Sequence, residues 1–578
     1  MRGSFLAGGV GPSGGYGLGH FLSATGNNCH LTREGPGGRC RAVRCWSYTA
    51  KGGTILIGSK RGIVLLINGS ERPASIDKGC RPIINQARLP NAQTVRLERL
   101  TYGELVQGVL MNDAKRERTG NPAILGASLI LFVLFGVQIA YQIYHSRTHL
   151  EVDADLSAEL AEAVFIEDEP APESAGWPQW RGPHRDGVVQ MTDLSTDWPE
   201  KGLPLLWEQP IGLGYSSFAF KDDLFYSLFQ EGDKEVVGCW RVEDGKEVWR
   251  YPYECRAHVS DYPGPRSTPT LDGDRVYTVG SDGKLFCLDA ANGYPRWQID
   301  LLHEFRALSP KWGVAFSPLI DGNLVFASPG GANGNSLAAF DKMTGKLVWK
   351  KLDEPAGYSS PIAVTIGDTR QILFFMGRTL VAVRASDGEP CWRFPWATSY
   401  DVNAATPVVF QARRGDKMLH YVFISSGYGR GCALLKIEPT SNGGFQAKKV
   451  YTSKQMCSHF ASPVRRGEYL FGIDDSRLTC MNLRTGKVMW TRPGINKGSL
   501  LRINDFLLVL GEDGKLFLLE ASPERRAPKA EARPLRGGRC WTMPVVAGGR
   551  LFLRDEQQMK CFDLKKSASP DEERSRGR

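Results

Sequence analysis

Basic and aromatic side chains recur just before a Ser/Thr-Pro-like sequence that appears eight times between residues 215 and 564. Aromatic faces beside Arg, Lys and His can hold a planar, anionic or sugar-like ligand, or a peptide. If the fold gathers these positions at one end, they predict a binding rim. Its members would be Tyr215, Arg266, Trp312, Tyr358, Asn403, His459, Lys497 and Trp541, with Tyr400, Asp401, Tyr428 and Arg430 on adjoining loops.

The same side chains also have a purely structural explanation, in which Arg266 and Lys497 cap strand ends and the aromatic rings fill a channel. Catalysis has less support. His258 and Asp261 share a loop, but no zinc spacing, phosphate loop or nucleophile elbow occurs. The nine Cys of the repeat region stand singly, as core thiols would. We therefore expect binding, with no catalytic residue and no metal site.

The elements that would position this rim are repeats of four short strands. The repeat from Arg266 to Trp297 has three turn signals between apolar strands of period two. A spacing of roughly 40 to 50 residues is typical of a β-propeller blade. Val450 is predicted to stand in the Trp position of a repeat that lacks it. The expected structural tryptophans are Trp207, Trp249, Trp297, Trp349, Trp392 and Trp490.

The number of blades follows from the two ends of the repeat region. The last repeat, from Trp541 to Leu564, supplies only three strands, whereas Leu203 to Gln209 is a spare strand before the first repeat. Pairing the spare strand with the last repeat would close the ring and leave no exposed edge. The sequence thus predicts an all-β, eight-bladed propeller over residues 177–564, with a disordered tail at 565–578.

About two thirds of the chain resembles the pyrroloquinoline-quinone (PQQ)-repeat propellers, which include quinoprotein alcohol dehydrogenases and the lipoprotein that assists outer-membrane β-barrel assembly. Asp-Ala-Ala-Asn-Gly-Tyr-Pro-Arg-Trp297, Asp341-Lys-Met-Thr-Gly-Lys-Leu-Val-Trp349 and Asn482-Leu-Arg-Thr-Gly-Lys-Val-Met-Trp490 carry this likeness. A narrower likeness, to uncharacterised propellers abundant in planctomycete-type bacteria, lies in Trp177-Pro-Gln-Trp-Arg-Gly-Pro-His-Arg-Asp-Gly187, Gly264-Pro-Arg-Ser-Thr-Pro269, Tyr400-Asp-Val-Asn-Ala-Ala-Thr-Pro407 and Ser426-Gly-Tyr-Gly-Arg-Gly-Cys432.

The resemblance raises the question of a quinone cofactor. Quinoprotein dehydrogenases of this superfamily place an adjacent Cys-Cys disulfide over the quinone and a Trp beneath it, with carboxylate and amide ligands for Ca²⁺ and an Asp base. This chain has no Cys-Cys dipeptide, and its inter-blade loops are short. We therefore expect no cofactor, with PQQ and calcium as the alternative.

Residues 123–144 form an apolar run long enough to cross a bilayer as a helix. Lys115, Arg116 and Arg118 precede this run, and an acidic stretch follows it, so the positive-inside rule places the propeller outside the cytoplasm. The alternative is a buried core helix. We expect an uncleaved anchor in the bacterial inner membrane, with residues 145–176 as a solvated acidic stalk and the propeller on the periplasmic side.

Residues 1–110 differ in composition from the remainder. They carry 14 Lys/Arg and 5 Asp/Glu, which accounts for nearly all of the net charge of +10. The basic balance therefore does not mark the propeller as a nucleic-acid binder. We expect translation to start at Met111, with residues 111–122 as a short basic segment before the span. The alternative is a disordered cytoplasmic tail.

Together these patterns favour a single-pass propeller that acts as a binding or assembly module, with envelope proteins or peptides as partners and membrane contact through residues 123–144. The alternative is a quinoprotein-like oxidoreductase with its cofactor in the central funnel. A sensor fused to signalling machinery is disfavoured because no cytoplasmic part is patterned as a catalytic domain. The oligomeric state is left open by the sequence.

Overall fold

The computed structural model describes residues 149–172, 176–255, 262–536 and 538–566, and the backbone of five short strands nearer the N-terminus. Those five strands lie in a separate compact unit, residues 1–136, and pair in sequence order. The predicted start at Met111 and the predicted span 123–144 lie outside the described residues. Within the described part, no helix is both long and apolar enough to cross a membrane. The five strands are Asn28–Cys29, Val43–Ala50, Gly53–Gly58, Ile63–Ile67 and Val95–Arg96 (β1–β5).

The repeat region forms eight four-stranded antiparallel blades, as predicted. Blade 1 comprises Ala219–Lys221, Leu224–Glu231, Lys234–Arg241 and Glu247–Glu254 (β10–β13); blade 2 Thr270–Asp272, Arg275–Val279, Lys284–Asp289 and Pro295–Asp300 (β14–β17); blade 3 Leu319–Asp321, Leu324–Ala327, Leu337–Asp341 and Leu347–Lys351 (β18–β21); and blade 4 Ile362–Ile366, Thr369–Phe375, Thr379–Arg384 and Pro390–Pro395 (β22–β25).

The chain continues around the ring with the other four blades. Blade 5 comprises Val408–Arg414, Lys417–Ser426, Gly431–Pro439 and Phe445–Ser453 (β26–β29); blade 6 Val464–Arg466, Tyr469–Asp474, Arg477–Asn482 and Lys487–Arg492 (β30–β33); blade 7 Ser499–Ile503, Phe506–Leu510, Leu516–Glu520 and Ala530–Ala532 (β34–β37); and blade 8 Val545–Ala547, Arg550–Arg554 and Gln558–Asp563 (β38–β40), with Leu205–Pro210 (β9). A short helix, Leu301–Glu304, and a 3-10 turn, Ser399–Asp401, lie in inter-blade loops.

The ring closes through the spare N-terminal strand. Strand β9 pairs antiparallel with β40 and places Trp207 opposite Cys561. The prediction that Leu203 to Gln209 completes the last blade is thereby confirmed. Because the chain ends share one blade, the outer edge of blade 8 is paired in the same way as the edges of the other blades.

The tryptophans of the outer strands connect each blade to the next. Trp349 is a clear case: its indole Nε1 donates to the Ala385 carbonyl of blade 4 at 3.0 Å. The ring lies over Gly388, whose φ is 73° and whose position has no room for a Cβ atom. The bonds from Trp207, Trp249, Trp297 and Trp490 to carbonyls of the following blade are 2.9–3.0 Å long, whereas Trp392 donates to Gln371 of its own blade.

The predicted tryptophan substitute in blade 5 was wrong by one residue. Tyr451 pairs with Leu434 and so occupies the position that tryptophan holds in the outer strands of other blades. Val450 lies at the adjacent β-bulge, where the register of β28 and β29 shifts by one residue. Gly486 of blade 6 faces the Tyr451 ring, as the turn glycines elsewhere face tryptophans. Val450 and Tyr451 are both buried, so the apolar pattern of the strand could not distinguish them.

The segment predicted as an acidic stalk folds against blade 5. Strand Leu150–Val152 (β6) pairs with outer strand β29, helix Ala154–Glu162 (α1) follows, and strand Val164–Phe165 (β7) pairs with inner strand β26. Asp153 caps the N-terminus of the helix, and its carboxylate accepts a hydrogen bond from the Leu156 amide at 3.1 Å. It buries Leu160 completely against the blade.

Charge complementarity explains why this acidic segment is ordered. Glu151 pairs with Lys449 at 2.6 Å, and Glu162 pairs with Arg414 at the same distance. Glu159 also forms an ion pair, with the buried Lys436 of the same blade. Composition alone suggests solvation for such a segment, because the basic partners lie more than 250 residues further along the chain.

Residues 177–189 lie across the central channel, and we call them the plug. The carbonyl of Trp177 accepts a hydrogen bond from Phe220 in blade 1, and that of Gly187 accepts one from Arg502 in blade 7. The indole of Trp180 donates to Thr406 beside blade 5 at 3.0 Å. The plug ends in strand Val188–Val189 (β8), which pairs with β34 of blade 7.

Two buried arginines of the plug tie it to further blades. Arg181 donates to the carbonyls of Ser462 at 3.0 Å and Pro463 at 2.7 Å, beside blade 6. Arg185 donates to the carbonyl of Pro361, beside blade 4, at 2.6 Å. Burial lowers the pKa of Arg181 to about 10 and that of Arg185 to about 9, so both remain charged at neutral pH. Their cost of burial is offset by carbonyls gathered from separate blades.

The recurring Ser/Thr hydroxyls form a belt around the channel. The Ser217 amide donates to Thr268 Oγ1, the Thr268 amide to Ser317 Oγ, and the Ser317 amide to Ser360 Oγ, at 2.9–3.2 Å. A matching bond joins the Thr406 amide to Ser462 Oγ. These bonds link the starts of the inner strands in blades 1 to 4 and in blades 5 and 6, and so position the residues that precede them.

Candidate functional site

A cavity of about 270 Å³ lies at one end of the channel, where the inner strands begin, with Trp180 of the plug among its walls. We call it the rim cavity. Eight of the twelve predicted rim residues line it, one from each blade or from the loop that precedes it. They are Tyr215, Arg266, Trp312, Tyr358, Tyr428, His459, Lys497 and Trp541. The convergence of these eight side chains is what the repeat alignment predicted.

The wall of the rim cavity is a chain of aromatic rings in contact. The Trp541 ring centre lies 5.2 Å from that of Tyr215 and 5.4 Å from that of Phe460. Tyr428 meets His459 edge to face at 4.8 Å. Rings that already contact one another give a rigid apolar surface, so a ligand would lose little entropy in ordering the wall.

Two cationic side chains enter this aromatic wall. The Arg266 guanidinium lies 5.5 Å from the Tyr215 ring centre, and donates to the carbonyls of Gly264 at 2.7 Å and Tyr262 at 2.6 Å. The Lys497 ammonium lies 5.7 Å from the Trp541 ring centre. No Asp or Glu is among the described residues lining the cavity. Its interior therefore favours an anionic group beside an apolar or planar one.

Carboxylates lie immediately behind this wall and are already engaged. Glu556 accepts a hydrogen bond from the Tyr215 hydroxyl at 2.7 Å and pairs with Arg539 at 3.2 Å. Glu512 accepts the indole hydrogen of Trp541 at 2.8 Å. These contacts fix the orientation of the two rings without placing a carboxylate in the cavity.

His459 is held in its neutral form. Burial, assisted by the nearby positive charge of Lys497, lowers the pKa of His459 to about 4. A neutral imidazole against Tyr428 acts as part of the aromatic wall. Among the described residues the rim cavity offers it no carboxylate partner, so no acid/base pair is assembled there.

Because His459 is buried in its neutral form, we expect the folded protein to lose stability as the pH falls. The pKa of His459 in the folded protein is below that of an unfolded His, about 6.5, so the unfolded chain binds more protons between pH 6.5 and 4. The stability contributed by neutral His459 is therefore present above this range and lost as the pH falls. Denaturant unfolding of the wild type and of His459→Gln should show the wild type losing more stability on acidification. Parallel pH profiles would contradict a buried neutral imidazole.

Asn403 does not line the cavity. Its amide nitrogen donates to the carbonyls of Met376, Gly377 and Trp396 at 2.8–3.1 Å, and its oxygen accepts the Ser426 hydroxyl at 2.7 Å. The side chain is completely buried. With all these groups satisfied inside the blade, Asn403 supports the loop next to the rim and has no free group for a ligand.

The three other predicted residues lie on the outer surface around the rim. Asp401 forms an ion pair with Arg378 at 2.9 Å. The guanidinium of Arg430 stacks 3.5 Å from the ring centre of Trp396. Tyr400 is 65% exposed. Loops do not follow the symmetry of the strands, which is why alignment of the repeats could not place these residues.

Sequence reasoning missed some residues of the site. Tyr262 contacts Trp541 at 4.9 Å between ring centres, and Phe460 and Trp180 also line the cavity. Phe460 begins a repeat and could have been found by the same alignment. Trp180 belongs to the plug motif, and nothing in its local pattern indicates that this segment enters the channel.

The donor atoms of the rim cavity do not match a calcium-held quinone. Such a group needs carboxylate ligands for the ion, and the described lining supplies none. Elsewhere, Glu235, Cys255 and Asp282 lie close enough together to be considered as ligands. Glu235, however, already accepts hydrogen bonds from Ser281 and from the Tyr253 hydroxyl, the latter at 2.7 Å. Its burial is therefore explained without an ion.

Comparison with known proteins agrees with this fold. Residues 233–492 match the family model described as outer membrane protein assembly factor BamB. This segment is a BamB-like PQQ-repeat domain. A 158-residue stretch is 28% identical to BamB of Burkholderia pseudomallei and covers 25% of this chain and 38% of that protein. A 123-residue stretch is 29% identical to quinohemoprotein alcohol dehydrogenase ADH IIB of Pseudomonas putida, covering 20% and 17%. The chain thus spans less than two fifths of either relative.

Among solved structures, the BamB-like propeller is similar to quinohemoprotein alcohol dehydrogenase ADHIIG from Pseudomonas putida HK5. The TM-score is 0.50 at 12% identity, with 72% of this chain and 83% of that chain covered. This likeness establishes the propeller fold, while the function must be argued from the site.

Proposed function

We propose that the chain is a membrane-anchored, extracytoplasmic binding module of the cell envelope, and that the rim cavity holds a peptide segment of a partner protein. The observation that carries this proposal is the lining of the cavity. Its rings can bury apolar side chains, and Arg266 and Lys497 can pair with a carboxylate of the same segment. These are the contacts by which a peptide is recognised.

The envelope location rests on two separate supports. The predicted span 123–144 has basic residues before it and acidic residues after it, which favours a position of the propeller outside the cytoplasm. The family model that matches residues 233–492 is that of an outer-membrane protein assembly factor, which favours a partner in the same compartment. The quinoprotein alternative is supported by the fold and by the 29% identity over 123 residues to ADH IIB, but the described cavity lacks the carboxylates and the chain lacks the Cys pair.

Photo-crosslinking in living cells tests this proposal. We would introduce p-benzoylphenylalanine in place of Tyr428, which lines the cavity and is 44% exposed. The matched control is Tyr294, which is 73% exposed on a turn at the opposite end of blade 2. We expect a discrete adduct with an envelope protein from the first position and none from the second.

Two results would contradict the binding role. One is an equal yield of adducts from both positions, which would mean that the rim has no preference for a partner. The other is alcohol oxidation by the purified chain after addition of PQQ and Ca²⁺. That activity would establish the oxidoreductase alternative, provided that it is absent without the quinone.

A further inference from the structure

The described part of the propeller unit begins at His149, at the end that carries the rim cavity. Leu150 pairs with Ser453, the last residue of outer strand β29, and the His149 carbonyl accepts a hydrogen bond from the Lys454 amide. Lys454 begins the loop that leads to His459 in the cavity wall, and its ammonium donates to the Gly429 carbonyl beside Tyr428. The chain therefore arrives from the N-terminus next to the rim.

We propose that this end of the propeller faces the bilayer, and that its exposed aromatic and basic side chains rest on anionic lipid headgroups. The inference rests on the anchor of the proposed function. Five residues, 145–149, separate the predicted span from Leu150, and an extended chain of that length reaches about 20 Å at most. Outer strand β29 has nine residues and is about 30 Å long. With the opposite end facing the membrane, the connection could not reach Leu150.

The rim end carries side chains suited to a membrane surface. Leu308 is 89% exposed, Tyr400 65% and Tyr428 44%. The ammonium of Lys311 lies 4.7 Å from the ring centres of both Trp312 and Tyr400. Tyrosine, tryptophan and lysine in this combination are enriched where proteins meet lipid headgroups.

Basic residues surround these exposed rings on the side where the chain leaves. Arg430 and Lys454 lie on loops of blade 5, and Arg306 and Lys311 lie on the loop before blade 3. Acidic residues also lie at this end: Asp401 is paired with Arg378, Glu304 lies beside His303, and Asp475 shares a cleft with Tyr428 and His459. Positive charge near an anionic bilayer attracts this surface, and the effect decreases with distance over about one Debye length, roughly 8–10 Å.

Acidic residues lie toward the opposite end of blade 5. Helix α1 crosses from outer strand β29 to inner strand β26, and its Glu162 pairs with Arg414 beside the turn at that end. Asp155 and Glu159 lie on the same helix. These residues would be repelled by anionic headgroups, although Glu159 and Glu162 are also paired with basic residues of the blade. The charge of this helix therefore disfavours the opposite end as the surface that faces the membrane.

The two exposed tyrosines lie on loops whose backbone is unusual. Tyr400 has a φ of 64° and Tyr428 a φ of 56°, both in the left-handed region that disfavours residues with a Cβ atom. With this end of the propeller facing the bilayer, a partner segment would reach the rim cavity from the membrane surface.

The orientation can be tested with the full chain in nanodiscs of phosphatidylglycerol and phosphatidylcholine. p-Benzoylphenylalanine would replace Leu308 or Tyr400 at the rim end, Met343 or Tyr294 at the opposite end, and Ala161 on helix α1. After irradiation, lipid adducts are quantified by mass spectrometry. We expect about tenfold more adduct at the rim positions than at the other three. Lys311→Glu combined with Lys454→Glu, both exposed, should reduce the rim adducts by about tenfold.

The outcomes separate this inference from the proposed function. A chain retained in the nanodisc with more adducts at Met343, Tyr294 or Ala161 than at the rim would overturn the orientation and leave the anchor intact. Equal adducts at all positions would overturn it as well. A chain that separates from the nanodisc would overturn the anchor and the orientation together, while protein crosslinks from Tyr428 in cells would still stand.

Discussion

Arg185→Ala is expected to lower the free energy of unfolding by about 3–5 kcal/mol, because it leaves several buried carbonyls without a donor. The Arg185 side chain is buried in the channel and donates to the carbonyls of Pro318 and Pro361, which belong to different blades. Its Nε also donates to the Gln179 side chain at 2.8 Å, which holds the plug in its own conformation. Denaturant unfolding followed by circular dichroism measures the loss.

Two further variants make this prediction specific. Arg185→Lys should also be destabilised, since one ammonium cannot reproduce the planar set of donors. Arg384→Ala is the control, because that guanidinium is half exposed and pairs with Asp387 on the surface; it should change stability by no more than about 0.5 kcal/mol. If Arg185→Ala were as stable as Arg384→Ala, the plug would not be holding the blades together.

The second large effect is expected at an interface between blades. Trp349→Ala should cost about 3–5 kcal/mol of stability, as truncation of a buried tryptophan does. The ring fills the space over Gly388 and its Nε1 satisfies a carbonyl of blade 4. Thermal and denaturant unfolding measure the loss, and binding of a partner at the rim should persist wherever the variant is folded.

Trp349→Phe and Gly388→Ala test the two parts of this interface. The Phe variant keeps most of the packing and loses the hydrogen bond, so it should cost only about 1–2 kcal/mol. The Gly388→Ala variant introduces a Cβ atom 2.5 Å from the indole and strains a φ of 73°. It should destabilise the same interface from the other side. A Trp349→Ala protein as stable as the wild type would contradict a structural role for these tryptophans.

The repeats made the fold predictable, because the blades share similar turns and six of the eight have a tryptophan in the outer strand. The spare strand around Trp207 could be assigned to the last blade, because that blade lacked a fourth strand. Contacts between distant, dissimilar segments were beyond this reasoning. Nothing in the local sequence pairs Arg181 with the carbonyls of Pro463, 282 residues away, or Glu162 with Arg414.

The residues of the site that could be predicted are those at equivalent positions of the repeats, because the ring brings these positions to one end. Arg266, His459 and Lys497 each precede an inner strand, and the strands bring them to one cavity. Asn403 also precedes an inner strand, yet its side chain turns inward to cap three carbonyls. The position of a residue in a repeat gives its height along the axis, whereas the direction of its side chain depends on the neighbouring loops.

The most direct measurement of the central claim is the affinity of the rim cavity for the partner segment captured at Tyr428. That segment, mapped by mass spectrometry and synthesised, would be titrated calorimetrically into the wild type and into the Arg266→Ala, Lys497→Ala double variant. We predict a loss of affinity of at least about tenfold in the double variant, since each charge-assisted contact contributes roughly 1.5–3 kcal/mol. Equal affinity in two equally stable proteins would contradict the rim cavity as the binding site.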